Sequence, residues 1–282
     1  APMSRGTYPA IVLDMPLVVQ YYNFEHMWNK LIPNVFLNNK MSVYFTFAHT
    51  VAMLHYVEIL KGGTGLSQGA GVAWLYSPEH GTGKTEGMML CQSVIGKGKR
   101  QLTSGDTTAA SMLAWSTVES CLVHMIDDFV VNNSRNNGNG KLLATILRTF
   151  FDGVSRAVCG KIDQPSSPPA FSSNSLPNKQ DTAALSRVIV LPFYVLRAPT
   201  TEAEKDPLLY ATFTSAKELS SAWLPWLHQL GMWKGKLDKA GIGDLNQWFA
   251  MTTETTRSRV GGNYGLLAYI ALLLNYVAQG GK

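Results

Sequence analysis

Cysteine is scarce in this 282-residue chain: Cys91, Cys121 and Cys159 stand far apart, with no Cys-x-x-Cys spacing and no histidine cluster beside them. A disulfide framework and a zinc pattern are therefore excluded, and a reducing intracellular compartment, cytoplasm or nucleus, is the expected setting. Charged residues are sparse at 15% against 46% hydrophobic ones, a balance that excludes a disordered chain and predicts a packed interior. A strong excess of either charge is missing too, and +5 over this length suits a polyanionic partner without requiring one. Long uncharged apolar runs are also lacking. Residues 41–60 carry His49, His55 and Glu58, and residues 266–278 are too few to span a bilayer, so both are expected as buried helices and no membrane is expected as a partner. The chain opens on Ala-Pro-Met-Ser with no charged segment ahead of an apolar one, which predicts no secretory signal and leaves room for a longer parent protein.

What is present is concentrated in one stretch. Gly71-Val72-Ala73-Trp74-Leu75-Tyr76 reads as a buried strand, the following Gly-containing residues as a tight turn, and Glu86-Gly87-Met88-Met89-Leu90-Cys91 as part of a helix packed on the sheet. Strand, loop and helix in that order are the setting of a phosphate-binding loop, spanning Pro78, Glu79, His80, Gly81, Thr82, Gly83, Lys84, Thr85 and Glu86. In such a loop the backbone N–H groups and the helix N-terminus face the phosphates, Lys84 supplies a point charge, and the Thr85 hydroxyl ligates Mg²⁺. A nucleoside triphosphate is the expected ligand. Pro78 stands where the pattern has its first glycine, which helps the chain leave the strand; the phosphate-facing Gly81, Gly83, Lys84 and Thr85 are intact.

Further motifs follow along the chain. The apolar run Leu122-Val123-His124-Met125-Ile126 ends in Asp127 and Asp128. Triphosphate hydrolysis uses such a pair: Asp127 to orient Mg²⁺ through its water shell, and Asp128 to polarise the attacking water. Strand alternation is expected to send the two carboxylates to different tasks. A short strand through Ala170-Phe171-Ser172-Ser173 ends in Asn174, whose neutral amide can reach the γ-phosphate or the water. Arg187 precedes the apolar run Val188–Phe193, and at that edge it either reaches a phosphate in a neighbouring subunit or is an ordinary surface charge. Val154–Lys161 is expected to form one arm of a hairpin bearing Arg156 and Lys161. Residues 100–103 read as a strand, Asp106 as a helix cap, residues 96–100 as a basic turn, and residues 219–230 as an apolar stripe. His49 and His55 lie six apart, the wrong offset for one helix face, and are expected as core or surface histidines.

The phosphate loop, the Asp127-Asp128 strand, the Ser172-Ser173-Asn174 strand end and Arg187 before an Ile/Val/Leu-Pro-Phe strand resemble, in that order, the AAA+ ATPase core. More narrowly they resemble superfamily 3-type helicases and the primase-helicases of viruses, phages and mobile elements, over roughly residues 70–195. The resemblance implies an α/β P-loop NTPase fold with a mostly parallel central sheet flanked by N- and C-terminal helical segments. It divides the chain into a helical lead-in over 1–66, an ATPase core over 67–200 and a C-terminal helical subdomain over 201–282. It makes ATP and Mg²⁺ the cofactors, Lys84 and Thr85 the phosphate and Mg²⁺ residues, and Asp127 the Mg²⁺-orienting carboxylate. Asp128 becomes the base in a place often held by Glu, Asn174 the γ-phosphate sensor and Arg187 a finger acting in trans. Arg257 or Arg259 is brought toward the phosphates. Arg156 and Lys161 become channel-facing cations of a hairpin that grips single-stranded or forked DNA in a hexameric ring. The implied function is a replicative motor that hydrolyses ATP to translocate on single-stranded nucleic acid; the alternative is a module that binds ATP and assembles without unwinding.

Overall fold

The computed structural model describes residues 24–60, 69–94, 102–105, 107–118, 122–130, 139–153, 156–158, 161–163, 165–177, 181–218 and 258–279. Expectations for the basic turn, Asp106, Arg257 and the 219–230 stripe fall outside the described residues, as do Cys121 and Cys159. The helices that matter to the site are α1 (Lys40–Met53), α2 (Lys84–Val94), α3 (Ala109–Val118), α4 (Asn139–Asp152), α5 (Pro207–Glu218) and α6 (Ser258–Ala278). The strands are β1 (Val72–Tyr76), β2 (Thr103–Ser104), β3 (His124–Asp127), β4 (Arg156–Val158), β5 (Lys161–Asp163), β6 (Pro169–Ser173) and β7 (Val188–Pro192).

Five strands form one parallel sheet in the order β2-β3-β6-β1-β7. Parallel strands covered on both faces read as unbroken apolar runs, and Val72 to Leu75 are all buried. Alternation along β1 divides the core. Ala73 and Leu75 face a layer built from Val43, Phe47 and Val51 of α1, Met88 and Leu90 of α2, and Leu267 and Ile270 of α6. Val72 and Trp74 face the opposite layer, with Met112 and Leu113 of α3 and Leu143, Leu147 and Phe150 of α4. The lead-in joins the first layer through Phe24, Trp28 and Phe47, and Trp28 Nε1 donates to Asn275 Oδ1 at 3.2 Å, so the two ends of the described chain meet. Helices stand where they are expected: α1 and a short helix Tyr56–Leu60 cover 41–60, and α6 covers 266–278 but is buried on one face only, with Leu267, Ile270 and Leu274 inside and Leu272 and Tyr276 exposed. No helix among the described residues is long and apolar enough to cross a membrane. Pro192 sits in β7 at the sheet edge, where a missing N–H is tolerated.

All five strands run the same way, so their C-terminal ends share one edge. The loop after β1, the carboxylates at the end of β3, Asn174 after β6 and the segment after β7 converge there. Ligands of open parallel sheets bind at that edge. Because β6 lies between β1 and β3, Asn174 stands between the phosphate loop and the carboxylates. Apart from the large sheet, β4 and β5 pair antiparallel with Arg156 opposite Asp163 and Val158 opposite Lys161; a hairpin is present, but Arg156 and Lys161 stand on its two different arms and not on one arm as expected.

Candidate nucleotide site

Ser77 begins the turn out of β1: its N–H donates to Ser173 O at 3.2 Å, and its Oγ accepts from Glu79 N at 3.2 Å. Pro78, Glu79, His80 and Gly81 are exposed, so the N–H that Pro78 lacks is not missed by any buried partner. Gly81 (φ 68°) and Gly83 (φ 84°) take left-handed conformations, which side chains resist, and they bend the loop over the N-terminus of α2. The cavity there has a volume of about 450 Å³ and is lined by His80 through Glu86, with Asp127, Asp128, Ser172, Asn174 and Leu196.

Lys84, buried at the first position of α2, aims its ammonium inward. Nζ donates to Asn174 Oδ1 at 2.8 Å, to Glu79 O at 3.3 Å and to Thr82 Oγ1 at 3.4 Å. An ammonium has three donors, and these three oxygens are the acceptors it finds. Burial lowers the Lys84 pKa, and the nearby Asp127 and Asp128 oppose that shift. Asn174 turns its other end to His80, Nδ2 lying 3.3 Å from the imidazole Nδ1.

On the far side of β6, Thr85 Oγ1 donates to Asp127 Oδ1 at 3.1 Å, and Ser172 Oγ donates to the same oxygen at 2.5 Å. The Ser172 hydroxyl in turn accepts from Asp128 N at 2.9 Å. Sequence reasoning missed Ser172 because a serine in a buried strand carries no distinctive spacing. It also took strand alternation to part the two carboxylates. Asp128 lies beyond the end of β3 with φ 53°, so a left-handed turn, not strand alternation, separates it from Asp127. Gly105 makes that turn possible: a Cβ on it would stand 2.2 Å from Asp128 O.

Thr85 and Asp127 present only oxygen donors, the chemistry that Mg²⁺ requires. Among the described residues no group of three or more His, Cys, Asp or Glu could hold a metal ion. The residues fit an ion completed by water and phosphate oxygens.

Other expected residues lie elsewhere. Pro78 and Glu79 belong to the loop but do not line the cavity; Glu79 contributes its carbonyl to Lys84. Arg187 precedes β7, at the sheet end opposite the cavity, and is no ordinary surface charge. Its side chain is 11% exposed, pairs with Asp152 at 3.3 Å, donates to Ala183 O at 2.6 Å and lies over the Phe151 ring at 5.4 Å. Arg259 covers the same ring at 5.3 Å and donates to Ser186 Oγ at 3.4 Å, so it is a packing residue away from the cavity and not a phosphate contact.

No family model matches the chain, and no curated protein matches it. Among solved structures, the chain is similar to the Cch protein of SCCmec type IV, described as an active helicase, with a TM-score of 0.62 and 14% identity, over 88% of this chain and 47% of that one. The fold is helicase-like. This chain spans about half the length of that helicase. The JCV helicase, with and without a bound inhibitor, matches at TM-scores of 0.36 and 0.35 and 11% and 13% identity, over 80% of this chain and 73% of the other. The helicase-like core places its cavity where β1, β3 and β6 end.

Proposed function

We propose that this helicase-like core is the ATP-hydrolysing engine of a ring-forming motor that translocates on single-stranded nucleic acid. One observation carries the reading: Lys84, Thr85, Asp127, Asp128 and Asn174 line a single cavity, although they come from three separate strand ends. The loop N–H groups and the N-terminus of α2 hold the β- and γ-phosphates. Lys84 exchanges Asn174 Oδ1 for a γ-phosphate oxygen, which frees the Asn174 amide to orient phosphate and water. Asp128, exposed at the cavity, accepts the proton of the attacking water as the bond between the γ-phosphorus and the β–γ bridging oxygen breaks and ADP leaves. Thr85 and Asp127 would hold Mg²⁺, which would supply charge neutralisation to the triphosphate when bound.

In the assembled ring, Arg187 reaches a neighbour's nucleotide after releasing Asp152, and the β4–β5 hairpin carries Arg156 and Lys161 toward the strand. The tie between Arg187 and Asp152 favours a second reading, in which the chain binds ATP and assembles without unwinding. Unwinding of a forked DNA duplex, measured beside ATP hydrolysis with and without single-stranded DNA, separates the two. A motor unwinds the fork and hydrolyses faster with DNA; hydrolysis indifferent to DNA, with no unwinding, sinks the motor reading.

A further inference from the structure

Asn38 and Asn39 precede α1 and use their side chains on a segment more than 150 residues away. Asn39 is buried and occupies the N-cap position of α1 without capping it. Its Nδ2 donates to Thr82 O of the phosphate loop at 2.9 Å and to Tyr194 O at 2.6 Å, and its Oδ1 accepts from Tyr194 N at 2.9 Å. Asn38 Nδ2 donates to Val195 O at 3.0 Å, and its Oδ1 accepts from Arg197 N at 3.2 Å. Two side-chain amides thus imitate strand partners for the segment after β7. Beyond it, Arg197 pairs with both oxygens of Glu204 at 2.9 and 2.5 Å, and Thr201 and Glu204 close a capping box. The Arg197 hydrogen bonds, then the Thr200 N–H, hold the Glu204 carboxyl well below the usual carboxylate range. The segment is fixed from both sides.

Leu196 sits in the middle of this clamp. In extended chain a residue's N–H and C=O face one side, and those of its neighbours face the other. With Val195 O and Arg197 N turned to Asn38, the Leu196 N–H and C=O face away from Asn38, on the side where Tyr194 meets Asn39 and the phosphate loop. Among the described residues they have no hydrogen-bond partner. The Leu196 side chain lines the cavity and approaches a Cβ placed on Gly83 to 3.9 Å. Among the described residues it is the only aliphatic side chain in a lining otherwise made of polar residues and glycine.

We propose that Leu196 reads the base of the bound nucleotide: its N–H and C=O pair with a ring nitrogen and the 6-amino group of an adenine, while its side chain supplies the apolar shelf. Asn38 and Asn39 are the positioning residues that present this edge. A 6-oxopurine inverts both partners, setting its O6 against the Leu196 C=O and its N1–H against the N–H. The site thereby selects 6-aminopurine nucleotides. This rests on the nucleotide-site reading above and deepens it.

Calorimetric titration of the full chain in Mg²⁺ with the β,γ-imido analogues of ATP, GTP and ITP, and with inorganic tripolyphosphate, tests it. The adenine analogue should bind about tenfold tighter than either 6-oxopurine, and N6,N6-dimethylation, which removes both amino hydrogens, should cost as much. Asn38→Ala touches no phosphate-loop atom; it should bring the purine preference toward unity and leave tripolyphosphate affinity in place. Equal binding of all purines with tripolyphosphate still bound overturns the Leu196 assignment and spares the phosphate site. A purine preference that survives Asn38→Ala overturns the positioning role, and failure of every triphosphate, tripolyphosphate included, overturns both readings.

Discussion

Lys84 is held in the cavity by three oxygens, of which Asn174 Oδ1 at 2.8 Å is nearest. Asn174→Ala removes that acceptor, so nucleotide should still bind while turnover falls by about 10²–10³, the cost of one transition-state hydrogen bond; single-turnover kinetics separate the two. Asp128→Asn keeps a residue that tolerates the left-handed turn and loses the proposed base. We expect kcat to fall by about 10²–10⁴ with little change in nucleotide affinity. For Lys84 the sign of the pH dependence follows from burial. The protonated form binds phosphate, burial lowers its pKa, and affinity for ATP should decline on the alkaline side earlier than an ordinary lysine would allow. Dissociation constants measured from neutral to alkaline pH in Lys84 and Lys84→Arg proteins check this; arginine, charged throughout, should remove the decline.

At the scale of elements, the turn after β3 depends on what it packs against. Gly105→Val drives a side chain into the Asp128 carbonyl, and an overpacked site of this kind costs about 1–3 kcal/mol. Hydrolysis should suffer more than nucleotide binding, because Asp128 moves and the loop does not. Helix α1 carries a different sensitivity. Buried His49 accepts no charge readily: burial lowers its pKa to about 4, and its Nε2 donates to Gly71 O at 2.9 Å ahead of β1. The unfolded chain binds a proton near the ordinary value of about 6.5. Stability is therefore complete above that pH and is lost as pH falls through 4, by an amount on the order of 3 kcal/mol. Urea denaturation across this window should show the slope, and His49→Gln should flatten it. In the β4–β5 hairpin, Arg156→Ala with Lys161→Ala should leave DNA-independent hydrolysis intact and weaken strand binding. The salt slope, about −0.7 per neutralised phosphate on single strands, should flatten; an unchanged slope removes the hairpin from the nucleic-acid path.

Across the whole molecule, strand order makes the site: β6 between β1 and β3 brings Asn174 from 90 residues away onto Lys84. Much of this was legible. Parallel strands buried on both faces leave unbroken apolar runs, and the residues of the phosphate loop, Asp127, Asp128 and Asn174 each follow such a run. Contacts between residues distant in sequence were not legible. Nothing near Asn39 signals that it grips Thr82 and Tyr194, nothing near Arg187 signals Asp152, and Leu196 lines the cavity only because the segment after β7 is clamped. Asp128 reads as a strand residue because the space that Gly105 yields lies on another strand's turn. In the proposed function the cavity at the ends of β1, β3 and β6 hydrolyses ATP. Steady-state phosphate release with Mg²⁺, compared between the unaltered chain and Lys84→Ala, tests it most directly. Turnover is expected in the first and none in the second; hydrolysis by Lys84→Ala at the unaltered rate would overturn the assignment of the site.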